Sequence, residues 1–134
     1  MVVDASLWVS ALLPLEVHHE ESRRRLAQYS ADDDPLTVPT VVLPEVAGAI
    51  SRRTGIPALG RQAAEAIVRV PGLRLVSLDA EMASEAARLA ADYRLRGADA
   101  VYVAVAAVLN LPLLTWDQEM ANRAAGVVRV IQLE

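Results

Sequence analysis

Asp4, Glu45, Asp99 and Asp117 stand beside apolar segments of a chain that has no cysteine and only two histidines. Each has an ordinary explanation. Asp4, Asp99 and Asp117 lie just before segments that read as helices, and aspartate is a favoured N-cap because its oxygen accepts an orphan backbone N–H. Glu45 fits less easily. It lies inside a helical segment and borders the apolar stripe of Val42, Val46 and Ala49 instead of opposing it. Pro44 blurs where that helix begins, and a first-turn glutamate would also suit the helix dipole. The chemical alternative is a cluster. Carboxylates gathered in one cleft repel, so at neutral pH some must protonate or bind a cation. A set of oxygen ligands without His or Cys selects Mg²⁺ or Mn²⁺. Such ions generate a hydroxide, hold a phosphate and stabilise attacking and leaving oxygens, so no strong side-chain base is required. The residues are far apart in the chain, and their spacing leaves caps and cluster both open.

The elements that would have to bring them together read as alternating strands and helices. Val2-Val3 is an apolar run ending at Asp4 and reads as a first strand. Leu7 to Leu13 reads as a helix, and His18 to Tyr29 as a polar one. After an Asp32-Asp33-Asp34-Pro35 loop, Leu36 to Val38 is a second strand. Pro39-Thr40 opens the helix that carries Glu45, which closes at Arg52-Arg53-Thr54-Gly55, where basic residues and glycine suit a helix C-terminus. Leu59 to Val70 is a further helix and Leu73 to Leu78 a third strand. Ala80 to Arg96 reads as one long amphipathic helix stopped by Gly97. Ala100 to Leu109 is apolar all round, as expected of a buried helix. Leu113 to Thr115 is a fourth strand ending at Asp117, Gln118 to Ala125 a short helix, and Val127 to Leu133 a last strand. This alternation predicts an α/β domain, residues 1–134, with a parallel sheet covered by helices on both faces. Sites in such sheets form beyond the C-terminal strand ends, where Asp4 and Asp117 fall.

Composition narrows the chemistry. With 134 residues, 54% of them hydrophobic, the chain can fill one core. Absence of cysteine removes disulfides and thiolate ligands and is compatible with a reducing cytoplasm. The N-terminus lacks a basic region and Asp4 interrupts its apolar start, which argues against a secretory signal. The uncharged run from Ala100 to Trp116 is too short for a membrane span and is divided by Asn110 and Pro112. A net charge of −4 argues against indiscriminate adhesion to nucleic acid, but not against an enzyme that sets metal ions between carboxylates and phosphate. All 13 basic residues are arginine. Lack of lysine excludes P-loop and Schiff-base chemistry.

The chain resembles the PIN-domain ribonucleases, above all the toxins of VapBC-type toxin–antitoxin pairs. The resemblance runs through Val2-Val3-Asp4-Ala5-Ser6, Pro44-Glu45-Val46, Gly97-Ala98-Asp99-Ala100-Val101-Tyr102-Val103-Ala104 and Leu114-Thr115-Trp116-Asp117, and spans essentially the whole chain. None of these motifs is specific alone; their order and spacing are. The resemblance implies a five-stranded parallel sheet, Mg²⁺- or Mn²⁺-dependent hydrolysis of RNA phosphodiesters, homodimers, and a small antitoxin whose tail blocks the site. It implies that Asp4, Glu45 and Asp99 are the main acidic residues, with Asp117 the more variable fourth, and that Ser6 and Thr115 are supporting hydroxyls.

Other residues carry less. His18 and His19 read as a solvated helix start, since adjacent helical positions diverge. Arg23, Arg24 and Arg25 read as solvated surface, with contact to RNA or an antitoxin as the alternative. Arg94 and Arg96, close in sequence to Asp99, are the candidates for RNA phosphate contact. Trp8 and Trp116 read as core or interface anchors, and with so few aromatics a stacking surface for RNA is not expected. The leading expectation is a metal-dependent endoribonuclease acting as a toxin. Rival readings are a PIN-type nuclease in RNA processing or on DNA, and a silent PIN-like partner-binding domain, disfavoured because a dead site has no reason to keep mutually repelling carboxylates. A phosphoacceptor switch resembling the receiver family would require the lysine that is missing.

Overall fold

The protein is described here by a computed structural model covering residues 1–31 and 34–133. Five parallel strands form one sheet in the order β3-β2-β1-β4-β5, where β1 is Val2–Val3, β2 Thr37–Pro39, β3 Arg74–Val76, β4 Leu113–Thr115 and β5 Val130–Gln132. The helices are α1 (Ala5–Leu12), α2 (His19–Ser30), α3 (Val42–Thr54), α4 (Pro57–Val68), α5 (Ala80–Tyr93), α6 (Gly97–Leu109) and α7 (Gln118–Ala124).

Successive residues of a strand point to opposite faces, so burial along a strand reports which faces are covered. Val2 and Val3 are both fully buried, as are Leu113, Leu114 and Thr115, so the sheet centre is covered on both sides. That is why these strands read as continuous apolar runs. Only the edges open: Arg74 and Leu75 of β3 and Gln132 of β5 are exposed, and short, partly charged edges discourage pairing with another chain. Helix α6 crosses β1, β2 and β4, which explains its apolar circumference, with Ala100 through Ala106 buried.

The sheet order matters for the site. From β1 the chain moves outward through β2 and β3, then returns to place β4 on the other flank of β1. The strand order therefore reverses between β1 and β4, the kind of switch point where α/β sheets open a crevice beyond their C-terminal ends.

Most boundaries shift by a few residues from the sequence reading, the third and last strands being shorter than expected, at Arg74–Val76 and Val130–Gln132. Pro39 completes β2, and α3 starts only at Val42. Helix α4 begins at Pro57, whose fixed φ suits a first turn, and ends at Val68. Helix α5 does not run to Arg96. It ends at Tyr93, and Arg94 takes the left-handed conformation (φ 55°), its N–H reaching the Ala90 carbonyl. The reversal turns Leu95 into the core, and Gly97 opens α6 instead of stopping α5. Asp32 and Asp33, read as loop, lie outside the described residues.

Candidate active site

The register of β1 on β4 pairs Val3 with Leu114, so the next residues, Asp4 just past β1 and Thr115 at the end of β4, come side by side at the sheet's C-terminal edge. The Asp4 amide donates to the Leu114 carbonyl at 3.1 Å. Asp4 is only 5% exposed. It occupies the N-cap position of α1, yet its side chain makes no helix-capping hydrogen bond. Its Oδ2 instead accepts from Ser6 Oγ and from Thr115 Oγ1, both at 2.8 Å. Thr115 Oγ1 in turn accepts the Asp117 amide at 2.9 Å, which fixes the strand end that carries Asp117.

Glu45 lies in the first turn of α3, and its Oε1 accepts from the buried Tyr102 hydroxyl of α6 at 2.7 Å. Asp99 lies inside the first turn of α6, not ahead of it; the cap position belongs to Arg96. The capping explanation thus fails for Asp99 and is unused at Asp4. At Asp117 it holds, because Oδ1 accepts from the Met120 amide at 3.0 Å. Even there one oxygen is left over. Among the described residues, Asp4, Glu45 and Asp117 each commit one side-chain oxygen to a protein side-chain or capping donor, and no protein hydrogen bond reaches the Asp99 carboxylate.

All four line one cleft of about 610 Å³, together with Ser6, Glu16, His18, Arg52, Arg53, Arg96 and Trp116. Their fields overlap. Burial raises the Asp99 pKa, and repulsion from Asp4, Asp117 and Glu45 adds to it, so that it stands at about 6 despite the opposing pull of Arg96. A helix start would favour charge at that position; burial and like charges outweigh it. Asp4 is also raised, by burial first, against the lowering effect of its Thr115 and Ser6 hydrogen bonds. Glu45 is raised by burial and by Asp4, against the Tyr102 bond. Tyr102 is pushed up by burial and by Glu45, so its hydroxyl keeps its proton and remains a donor.

Among the described residues, no salt bridge reaches any of these carboxylates; Arg53 pairs instead with Glu16, another cleft residue, and Arg96 with Glu119 at 3.6 Å. A cavity of similar size lies between α6, α7 and β5, but its lining holds one arginine, Arg129, and no carboxylate.

Could this donor set hold a cation? Among the described residues no three of the His, Asp and Glu side chains stand close enough to form a ready-made cage. Mg²⁺ seldom uses one: it dehydrates reluctantly, keeps several waters, and takes one or two carboxylates with phosphate oxygens. A wet cleft ringed by carboxylates with uncommitted oxygens fits that demand, and only hard oxygen donors are offered.

Sequence reasoning missed several residues that build the site: Tyr102 supports Glu45 from the core, and Arg52 and Arg53 line the cleft. Tyr102 follows Asp99 by one helical turn, and Arg52 and Arg53 follow Glu45 by two, so helical spacing alone would have found them. Arg94, expected beside the site, is not among the cleft residues, and its carbonyl accepts from Arg123; Arg96 does line the cleft. Arg24 and Arg25 both pair with Glu21 on the surface of α2. His18, expected to be a solvated helix start, stacks on Trp116. Trp116, expected as a core or interface anchor, packs half-buried against the core and also forms cleft wall.

No curated protein matches the sequence. Among solved structures, the chain is similar to VapC20 of Mycobacterium tuberculosis, described as a sarcin–ricin loop cleaving toxin, with 20% identity, a TM-score of 0.78 and 98% of each chain covered. It is similar to VapBC2 of Rickettsia felis, solved bound to a DNA fragment from its promoter, with 13% identity, a TM-score of 0.74, and 99% of this chain and 98% of that one covered. VapBC of Salmonella typhimurium, solved bound to DNA, gives 14% identity, a TM-score of 0.68, and coverage of 98% and 96%. At these identities the likeness is one of fold. The sequence itself matches the PIN domain model over residues 1–126, and the chain belongs to the PIN domain family.

Proposed function

We propose that the protein is a divalent-metal-dependent endoribonuclease, the toxin of a type II toxin–antitoxin pair held in check by a small antitoxin. The observation that carries this reading is the cleft itself: four carboxylates without an ion pair, one of them held near pKa 6 largely by burial and by the other three. Such an arrangement is costly unless a cation enters it. Membership of the PIN domain family supports the reading, as does likeness to solved VapC and VapBC proteins across nearly the whole chain.

In this reading Asp4 and Asp99 hold the principal Mg²⁺ or Mn²⁺. Glu45 and Asp117 complete its shell, directly or through water, or position the attacking water. The bound ion supplies an acidified water and positive charge against the phosphate. The protein's own part is positioning. Ser6 and Thr115 fix the orientation of Asp4, and Tyr102 fixes Glu45. Arg52 and Arg96, which both line the cleft, meet RNA phosphates near the scissile one.

Leu15 and Val17 support an antitoxin partner. They are 95% and 87% exposed, and they flank Glu16, beside His18, at the cleft. A partner segment lying across the site would cover them. Homodimerisation belongs to the same reading.

The test is incubation of purified protein with structured RNAs in EDTA, followed by restoration of Mg²⁺ or Mn²⁺. Cleavage should stop and resume. Unchanged cleavage in EDTA would refute the metal requirement. No cleavage under any condition would favour a domain that only binds a partner.

A further inference from the structure

We propose that the outer face of the His18 imidazole is a stacking site for one unpaired nucleobase beside the scissile phosphate. This rests on the ribonuclease reading and adds to it the form of RNA that the cleft accepts.

His18 lies parallel on Trp116, with ring centroids 3.7 Å apart and planes 9° from parallel. One face of the imidazole is therefore covered. The residue as a whole is nevertheless exposed, which leaves ring surface for a further partner. Among the described residues its ring makes no hydrogen bond and no ion pair.

The platform beneath is rigid. Trp116 Nε1 donates to Ser22 Oγ at 2.8 Å, and the Trp116 amide donates to Ser6 Oγ at 3.1 Å. Ser22 is fully buried, and its Oγ lies 2.6 Å from Ser10 Oγ. Ser10 donates onward to backbone carbonyls of α1, so the Ser22 proton is the one shared with Ser10. The neighbouring His19 ring meets the Ser10 carbonyl through Nδ1 at 2.9 Å, which pins the start of α2. A pre-ordered stack loses little freedom when a third ring is added.

Its position is as telling. Ser6, which takes the Trp116 amide, also donates to the Asp4 carboxylate, and Trp116 immediately precedes Asp117. His18 and Trp116 line the cleft with all four acids. A base on His18 would hold its own backbone phosphate close to them. Bases inside a duplex are stacked on each other and have no face to offer, so the site takes a base from a loop or single strand. Stacking is tolerant of base identity, which makes this a device for strandedness more than for sequence.

The test uses a short single-stranded RNA that the wild type cleaves, carrying 2-aminopurine in turn on each side of the cut. His18→Leu keeps the Trp116 face covered but removes the aromatic surface; His18→Phe restores it. Melting curves confirm that both variants fold. At one of the two positions, 2-aminopurine fluorescence should fall on binding to the Asp99→Asn protein, which does not cut it. That quench should vanish with His18→Leu and return with His18→Phe. In the active background, His18→Leu should raise KM roughly tenfold, with kcat within about twofold, and His18→Phe should reverse it. If wild type cleaves while His18→Leu matches it in quench and KM, or if His18→Phe is as defective as His18→Leu, the stacking site is refuted and the nuclease reading stands. If wild type with metal cuts no RNA, both fall.

Discussion

At the scale of single residues, the site is a balance between repulsion and orientation. Asp99 shows the repulsion. Its pKa of about 6 lies above the ordinary 3.8, so between those values the folded, metal-free protein keeps a proton that the unfolded chain has released. Stability from this group is therefore greatest at the acid end and declines as pH rises from about 4 to about 6, then levels off. Asp99→Asn should accordingly melt higher than wild type in EDTA near pH 8, by about 1–2 kcal/mol after allowing for solvent screening of a half-buried group. Near pH 4 the difference should vanish. Equal melting temperatures at both pH values would show that Asp99 is not repelled by its neighbours. Tyr102 shows the orientation. Tyr102→Phe removes the donor to Glu45 and should cost about 1–3 kcal/mol of stability, while lowering kcat. Denaturant curves and kinetics at saturating metal check both, and unchanged kcat would mean that Glu45 needs no positioning. Much of this site was legible in the sequence. Asp4 and Asp117 follow strand-like runs, and Glu45 borders an apolar stripe. The supporting contacts were less so: Tyr102 looked like one more residue of a buried helix, and the His18–Trp116 stack joins residues that only the fold brings together.

At the scale of elements, close approach decides what is tolerated. Helix α4 lies so near α3 that a Cβ on Gly60 would sit 2.4 Å from the Ala47 carbonyl oxygen. Intrinsic propensity makes Gly→Ala in a helix favourable by about 1 kcal/mol. Here the clash with backbone should reverse the sign, and Gly60→Ala should lose about 1–3 kcal/mol. A shift of the urea midpoint to higher concentration would show that α3 and α4 do not pack as described. Because α3 carries Glu45, Arg52 and Arg53, activity should fall along with stability. The elements were readable because parallel strands buried on both faces appear as short apolar runs, and α6 as a helix without a polar side. Of the misread boundaries, the end of α5 had the largest consequence, because it sets where α6 and Asp99 begin. Gly97 offered a conventional stop, whereas the chain turns at Arg94 in a conformation that arginine seldom adopts. The gain is burial of Leu95, and only tertiary contact reveals it.

At the scale of the whole molecule, the site opens at a switch point of the sheet, and the apolar Leu15 and Val17 stand at its rim. If an antitoxin segment covers them, Leu15→Ser combined with Val17→Ser should leave cleavage intact while weakening antitoxin inhibition at least tenfold, about 1.4 kcal/mol or more. Titration of antitoxin into the cleavage assay measures this, and unchanged inhibition would place the partner elsewhere. Light scattering at micromolar concentration should give a dimer mass for the protein alone. Central to the proposed mechanism is that the clustered carboxylates hold the metal ion used to cut RNA. The most direct measurement compares cleavage of one end-labelled RNA by wild type and Asp99→Asn, purified in parallel, each in EDTA and in Mn²⁺. Parallel purification matters because a contaminating nuclease would appear in both preparations. The account predicts cleavage by wild type in Mn²⁺ and none in the other three reactions. Equal cleavage by Asp99→Asn, or cleavage by wild type in EDTA, would contradict it.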